Sequence, residues 1–170
     1  MANKLHTQIR LLTQADAAFY RDVRLEALQQ NPEAFGSTFE RESEKPLSWF
    51  GERLAQFEIF GAFVVGELLG TAGVLTQEGS KRAHKATLWG MYVRTTARNS
   101  GVGKGLVEAV VNHATGRVEL LQLTVVSENR SAQRLYAGLG FVEYGREIRA
   151  LKHNGRYYDE ILMVKFLAPG

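Results

Sequence analysis

A glycine-rich run in the middle of the chain has the residue types of an anion-binding loop. The run, Arg98-Asn99-Ser100-Gly101-Val102-Gly103-Lys104-Gly105, follows an apolar stretch and precedes an amphipathic one, which predicts a strand, a turn and a helix. The first N–H groups of such a helix have no intrahelical acceptor, and the helix dipole adds partial positive charge. Because glycines let a ligand approach the backbone closely and Arg98 and Lys104 add full charges, we expect a phosphate-bearing ligand.

The spacing within this run excludes two common phosphate-binding motifs. Gly105 stands where a P-loop needs Ser or Thr, and Leu106 stands where a dinucleotide fingerprint counted from Gly101 needs its third glycine. Arg98, Gly101 and Gly103 do match Arg/Gln-x-x-Gly-x-Gly/Ala. The run therefore resembles the acetyl-CoA pyrophosphate loop of the GCN5-related N-acetyltransferase (GNAT) superfamily, which implies that it binds the cosubstrate acetyl-CoA. A tight turn without a ligand is the alternative.

A second motif follows downstream and resembles another GNAT segment, Asn-x-x-Ala-x-x-Leu-Tyr followed by Gly-Phe. It consists of Asn129, Ala132, Leu135-Tyr136 and Gly140-Phe141. Asn129 and Tyr136 are seven positions apart, so both lie on one helix face with the small Ala132 between them. The resemblance implies that Asn129 bonds the pantetheine arm and that Tyr136 is the general acid for the leaving sulfur. The alternatives are a helix cap and a core aromatic with a satisfied hydroxyl.

Gly90 lies inside a stretch that reads as a strand, where glycine often marks a bulge or a close backbone approach. The GNAT resemblance implies a bulge here and a gap towards the next strand, Val118–Val126. The run Met91-Tyr92-Val93 would then contact the acetyl and pantetheine groups, with Met91 and Val93 doing so through the backbone. An N–H aimed at the developing oxyanion would stabilise it. The alternative is that Gly90 only relieves crowding at Trp89.

The residue that takes a proton from the acceptor amine is not indicated by the family pattern. A protonated amine cannot attack a carbonyl, so a proton must first leave. Some GNATs place a glutamate on the strand before the glycine loop, but this chain has no acidic residue between Lys81 and Arg94. The segment between the first two helices, which lines the acceptor site in the family, offers Glu33, Glu40 and Glu42. We take Glu33 as the candidate catalytic base, and solvated surface charge is the alternative for each.

The remaining titratable side chains form no second constellation. Asp159 and Glu160 interrupt a strand-like stretch and must point to opposite faces, so one could face a cleft or a dimer partner; we treat both as structural. The sequence predicts no metal site, because its histidines lack ligand spacing, and no Gly-x-Ser-x-Gly elbow is present. Of these histidines, His84 could face the acceptor cleft. The four are His6, His84, His113 and His153.

The composition is that of one ordinary globular domain, which we expect to span residues 1–170. The chain is 45% hydrophobic and 23% charged, and it has no cysteine, which suits the cytoplasm. Because residues 1–10 have no apolar signal core and no apolar run could span a bilayer, we expect a cytoplasmic protein without a membrane partner. A net charge of +3 and a pI near 9.3 favour an anionic ligand, but the scattered basic residues predict no nucleic-acid partner.

Hydrophobic periodicity predicts strands and helices in the order β α α β β β α β α β β. This is the order of the GNAT fold, an α/β (α+β) domain with a central mixed, twisted sheet flanked by helices. Two tight turns are expected, at Gly66-Glu67 and Asn154-Gly155. The predicted strands are Gln8–Leu12, Ile59–Val65, Leu68–Leu75, His84–Arg94, Val118–Val126, Phe141–Ala150 and Tyr157–Phe166. The predicted helices are Asp16–Leu28, Leu47–Phe57, the segment after the glycine loop, and Ser131–Ala137.

Together these motifs predict an acetyl-CoA-dependent N-acetyltransferase that works by direct transfer in a ternary complex. The expected acceptor is a primary amine of a small molecule, such as an amino acid, an amino sugar or a xenobiotic. Protein or peptide acetylation is one alternative. A non-catalytic CoA-binding sensor or interaction module is another; the missing strand glutamate favours it, and Tyr136 argues against it. A homodimer is a family-level expectation.

Overall fold

The computed structural model describes residues 6–168, which form a seven-stranded sheet with helices on both faces. Residues 1–5 and 169–170 of the expected domain lie outside the described residues, and so does half of the N-terminal segment 1–10 that lacks an apolar signal core. The strands are β1 (Gln8–Leu11), β2 (Glu58–Val64), β3 (Glu67–Thr76), β4 (Lys85–Val93), β5 (Leu120–Val126), β6 (Val142–His153) and β7 (Arg156–Phe166). The helices are α1 (Ala17–Gln30), α2 (Phe39–Ser43), α3 (Leu47–Gln56), α4 (Val102–Ala114) and α5 (Arg130–Gly138).

The sheet is mixed, and its strands lie in the order β1-β2-β3-β4-β5-β7-β6. Only β4 and β5 are parallel neighbours; every other neighbouring pair is antiparallel. The β4–β5 pairing ends after Thr87 and Gln122, although both strands continue beyond it. The two strands therefore separate towards their carboxyl ends and leave a gap in the middle of the sheet, as predicted.

Two hydrophobic cores cover the two faces of the sheet. On one face α4 and α5 pack on the central strands, and the α4 stripe Leu106, Val110 and Ala114 is fully buried, as its spacing predicts. On the other face α1 and α3 pack on β2 and β3 through residues such as Val23 and Phe50. The gap between β4 and β5 is an opening in the sheet that connects its two faces.

Local signals set the ends of the helices next to the gap. The α1 helix stops before Asn31-Pro32, since the residue before proline is pushed out of helical geometry. A 3-10 turn at 32–34 follows and packs on β5 and β6. The α4 helix begins after Gly101, whose φ of 89° lies in the left-handed region that favours glycine.

The predicted fold is confirmed, with corrections to several elements. Helix α2 was not expected from the sequence, and α1 extends to Gln30. The first hairpin turns at Val65-Gly66 (φ 51° and 81°), not at Gly66-Glu67, because a two-residue turn of the type suited to twisted strands needs positive φ at both central positions. The second turn is at Asn154-Gly155 as predicted.

Candidate active site

A cavity of about 960 Å³ opens at the gap between β4 and β5. The glycine loop, the end of β4, the end of β5, the start of α5 and the 3-10 turn all contribute to its wall. Most residues singled out from the sequence line it, namely Glu33, Met91, Tyr92, Val93, Arg98, Asn99, Gly101, Gly103, Lys104, Asn129, Ala132 and Tyr136. Two residues of the predicted acetyl-CoA-binding set do not line it: Val102 is buried in the core beneath α4, and the Ser100 hydroxyl bonds the Ala97 carbonyl.

The start of α4 has the features of an anion-binding site. Within the described residues, the N–H groups of Val102, Gly103 and Lys104 donate no hydrogen bond, whereas the next one, on Gly105, bonds the Gly101 carbonyl at 2.9 Å. A Cβ on Gly103 would contact Met91, whose side chain also lines the cavity, at 3.4 Å. These unused donors and the bare Gly103 suit a pyrophosphate group, so this part of the wall fits acetyl-CoA.

The two flanking cations take different positions. Arg98 is exposed and turns back towards the end of β4, where its Nε donates to the Val93 carbonyl at 3.2 Å and its Nη2 to the Asn31 side chain at 3.2 Å. Lys104 is exposed and lies 3.8 Å from Glu108 one helical turn later. Both line the cavity, and both can add positive potential near the free N–H groups.

The bulge predicted at Gly90 is present in β4. Thr71 pairs with Tyr92 and Gly73 with Trp89, so two residues of β4 lie opposite one residue of β3. Gly90 has a φ of 61°, and a Cβ there would meet nothing within 4 Å. Its role is therefore conformational, and the crowding alternative is wrong at this position. Gly73 makes room for Trp89 instead, since a Cβ there would lie 2.6 Å from the indole.

The bulge changes which way the side chains of β4 point. Met91 and Val93 pack against the core under α4, whereas the Tyr92 side chain belongs to the core under α1 and α3. The Tyr92 hydroxyl donates to Glu26 at 3.0 Å, and burial together with this carboxylate raises the pKa of Tyr92. The phenol of Tyr92 is thus held on the far face, which leaves its backbone as the part able to reach a cosubstrate.

Asn129 caps the start of α5, which is the alternative role expected for it from the sequence. Its side-chain oxygen accepts a hydrogen bond from the Ala132 N–H at 3.1 Å. Its side-chain NH₂ group donates to none of the described residues and lies at the cavity wall. Capping therefore fixes the side chain and leaves a donor for a ligand.

Tyr136 lies at the inner wall of the cavity and is 4% exposed. Its ring packs edge-to-face on Phe141 with centroids 5.9 Å apart. No described residue bonds its hydroxyl, which is therefore available to a ligand in the cavity. Burial raises the pKa of Tyr136 above its ordinary value, which already lies well above neutral pH, so the phenol is protonated there. A neutral phenol at a cavity wall can donate a proton.

The three candidate acids of the 31–42 segment have different environments. Glu33 is half-buried and lines the cavity, whereas Glu40 is exposed and lies outside it. Glu42 is 3% exposed and accepts hydrogen bonds from Arg24 at 2.8 and 2.9 Å. Burial opposes its ionisation, but Arg24 outweighs burial and lowers the pKa of Glu42. Glu42 is therefore a structural ion-pair partner, and the proposal that it could serve as the base is wrong.

Several cavity residues were not identified as site residues from the sequence. Trp89, Phe35 and Arg24 line the side of the cavity next to α1, with the Arg24 guanidinium 5.4 Å from the Phe35 ring centroid. Glu160 of β7 also lines the cavity, although we expected it to be structural. The sequence indicates only that Asp159 and Glu160 point to opposite faces of a strand, because side chains alternate along it. It does not indicate which face carries a cavity.

The histidines lie away from the cavity. His84, expected as a possible cleft residue, is not part of the wall, and its carbonyl instead accepts a hydrogen bond from the N–H of Glu119, just before β5. His113 contacts Glu58 at 2.9 Å. Within the described part of the chain, no group of three or more His, Cys, Asp or Glu side chains is placed to hold a metal ion. None of the helices of residues 6–168 is long and apolar enough to cross a membrane.

Comparison with known proteins identifies the family. The model of the acetyltransferase (GNAT) family matches residues 21–141, which contain the glycine loop, the bulged strand and Tyr136. The chain therefore belongs to the GNAT family and is an acetyltransferase.

Similar proteins extend over nearly the whole chain. An L-amino acid N-acetyltransferase of Escherichia coli (strain K12) is 25% identical over 160 residues, which are 91% of this chain and 96% of that protein. A GNAT-family acetyltransferase from Streptococcus pneumoniae superposes with a TM-score of 0.83 at 22% identity, covering 96% of this chain and 100% of that one. A protein from Salmonella typhimurium, solved with its cofactor acetyl-CoA, superposes with a TM-score of 0.79 at 19% identity, covering 97% and 96%.

Proposed function

We propose that this acetyltransferase moves the acetyl group of acetyl-CoA to the primary amine of a small molecule by direct transfer in a ternary complex. One observation carries the proposal: the cavity at the β4–β5 gap joins unused backbone donors at the start of α4 to the unpartnered hydroxyl of Tyr136. Bound there, acetyl-CoA would supply an activated acetyl group as a thioester.

The residues divide into a binding part and a reacting part. The N–H groups of Val102, Gly103 and Lys104 would bind the pyrophosphate, and the Asn129 side-chain NH₂ would donate to the pantetheine arm. The backbone from Met91 to Val93 would hold the acyl end at the bulge. Tyr136 would donate its hydroxyl proton to the leaving sulfur, a role that its protonated state at neutral pH suits.

A small acceptor is supported by the far wall of the cavity. Trp89 and Phe35 offer an apolar surface on that side, and the wall glutamates Glu33 and Glu160 offer negative charge for an ammonium group. The similar Escherichia coli protein acts on L-amino acids, which makes amino acids the first class to test. A cytoplasmic location belongs to the same proposal and is supported by the absence of cysteine. The homodimer stays a prediction.

The test is release of free CoA thiol by the purified protein. A panel of L-amino acids, amino sugars and simple amines would be incubated with acetyl-CoA, alongside short peptides with free N-termini. Turnover restricted to small amines supports the proposal, and Gly103→Glu should abolish it by setting bulk and negative charge against the pyrophosphate. Turnover restricted to peptides would replace it with peptide acetylation. Binding without any turnover would favour the sensor alternative.

A further inference from the structure

The amine acceptor needs a proton acceptor that β4 does not supply. The wall of the cavity contains three glutamates within the described residues, Glu33, Glu128 and Glu160. Glu128 forms an ion pair with Arg156 at the mouth, which leaves Glu33 and Glu160. The two residues are held by different elements. Glu33, the base expected from the sequence, lies on a 3-10 turn, whereas Glu160 lies within the sheet.

Glu160 points to the acceptor side of the sheet, next to the gap. Its neighbours Ile161 and Met163 are buried in the core under α4 and α5, so alternation gives Glu160 and Ile161 opposite faces. Glu160 pairs with Val126 on β5, the strand that borders the gap. Both residues line the cavity, which places the carboxylate one strand away from the opening.

The Glu160 carboxylate lacks a cationic partner among the described residues, unlike the carboxylate next to it in β7. Its neighbour Asp159 is bonded by Arg146 at 2.7 Å and by the Arg149 N–H at 2.8 Å, whereas Glu160 forms no ion pair within the described residues. The residue is half-buried, and Glu147 stands directly opposite it on β6. A partly desolvated anion beside a second anion is a favourable place for an ammonium ion.

The other charged groups near the Glu160 carboxylate leave it a favourable place for an ammonium ion. Glu33 approaches from the 3-10 turn that packs on β5 and β6, and Arg24 of α1 is occupied by Glu42. Burial and the Glu147 charge raise the pKa of Glu160, while the Thr124 hydroxyl favours the charged form in part. A carboxylate with a raised pKa holds an accepted proton better than an exposed one.

We propose that Glu160 binds the ammonium group of the acceptor and takes its proton, a role that rests on the proposed function. The N–H bond breaks, the proton moves to a carboxylate oxygen of Glu160, and the electron pair stays on nitrogen. Nitrogen then bonds the acetyl carbon as the C–S bond breaks, and Tyr136 donates its proton to sulfur. A second proton then moves from the nitrogen to the Tyr136 oxygen and restores the phenol. Glu160 releases the proton that it accepted to water.

The kinetic test compares Glu160→Gln, Glu33→Gln and, as a control on the exposed β6 strand outside the cavity, Glu143→Gln. We expect Glu160→Gln to lower kcat/KM for the amine at neutral pH by about 10²- to 10⁴-fold, with acetyl-CoA affinity unchanged. Its residual rate should rise with pH as more of the amine becomes neutral. Glu143→Gln should match the wild type. Equal activity of Glu160→Gln and wild type, or a loss confined to Glu33→Gln, overturns the proposal.

A second measurement needs no turnover and separates this inference from the proposed function. In protein labelled with ¹³C at glutamate carboxyls, the resonance missing from Glu160→Gln identifies the group. It should titrate above the ordinary glutamate range in the wild type, and ethylamine hydrochloride should shift it. An ordinary titration with no response to ethylamine contradicts the proposal even if the enzyme is active. A response to ethylamine without any acetyl-CoA binding would retain the ammonium site and sink the proposed function.

Discussion

Substituting Gly103 by alanine separates the folding role of the glycine loop from its binding role. Gly103 lies in the first turn of α4 and does not have a positive φ, so alanine can adopt its conformation. The added Cβ would meet Met91, Leu135 and Val93 at 3.4, 3.5 and 3.6 Å, which are ordinary contacts. The protein itself therefore has room for the methyl group.

The two expected effects of Gly103→Ala have opposite signs. Alanine is favoured over glycine in a helix by about 0.5–1 kcal/mol, so the free energy of unfolding should stay level or rise by up to that amount. The methyl group would stand beside the N–H groups that we assign to the pyrophosphate. Losing one hydrogen bond to a charged group costs about 1.5–3 kcal/mol, which corresponds to a roughly 10- to 150-fold weaker Kd.

Urea unfolding and calorimetric titration with acetyl-CoA measure the two effects on the same samples. Gly138→Ala is the matched control, because Gly138 is a helical glycine outside the cavity wall, and a Cβ added to it would meet nothing within 4 Å. It should leave the Kd unchanged. A wild-type Kd in Gly103→Ala, or a binding loss that tracks a loss of stability, would contradict the binding role assigned to the loop.

Three further predictions concern single side chains. Tyr136→Phe should lower kcat by about 10²-fold with little change in acetyl-CoA Kd, because only the donated proton is lost; an unchanged kcat would remove the acid role. Glu42→Ala should lower the free energy of unfolding in urea by about 3–5 kcal/mol, because it leaves Arg24 buried and unpaired. The double variant Arg24→Met/Glu42→Leu should lose less, and equal losses would contradict a buried ion pair at this place. The Arg10 hydrogen bonds hold the pKa of Asp16 at about 2, below its ordinary 3.8, so their stabilisation is present above pH 4 and lost as the pH falls towards 2. Asp16→Asn should flatten that part of the stability curve between pH 2 and 5, and an unchanged slope would show that another carboxyl sets it.

The parts of the site that sequence predicts are those encoded by local spacing. The glycine loop and the α5 motif each lie within a single turn–helix segment, so residue types and intervals fix which groups share a face. The bulge at Gly90 is indicated by one glycine inside an apolar strand, and the register shift confirms it. The order of strands and helices follows from hydrophobic periodicity in the same way.

The parts that sequence missed depend on contacts between distant segments. Glu42 and Arg24 are 18 positions apart, and only the packing of α2 on α1 brings them together. The first hairpin turns one residue earlier than predicted because Val65 adopts a positive φ, which is unfavourable for a β-branched residue and has no local signal. Glu160 could be assigned a face but not a cavity, since the cavity exists only where β4 and β5 separate.

Binding of acetyl-CoA by the cavity underlies every step of the proposed reaction, and calorimetric titration of the wild-type protein with acetyl-CoA tests it most directly. We predict saturable binding at micromolar concentration or tighter, which Gly103→Glu abolishes. No binding at millimolar acetyl-CoA would mean that the free N–H groups at the start of α4 serve only a structural turn in this chain, and the proposed reaction would have to be abandoned.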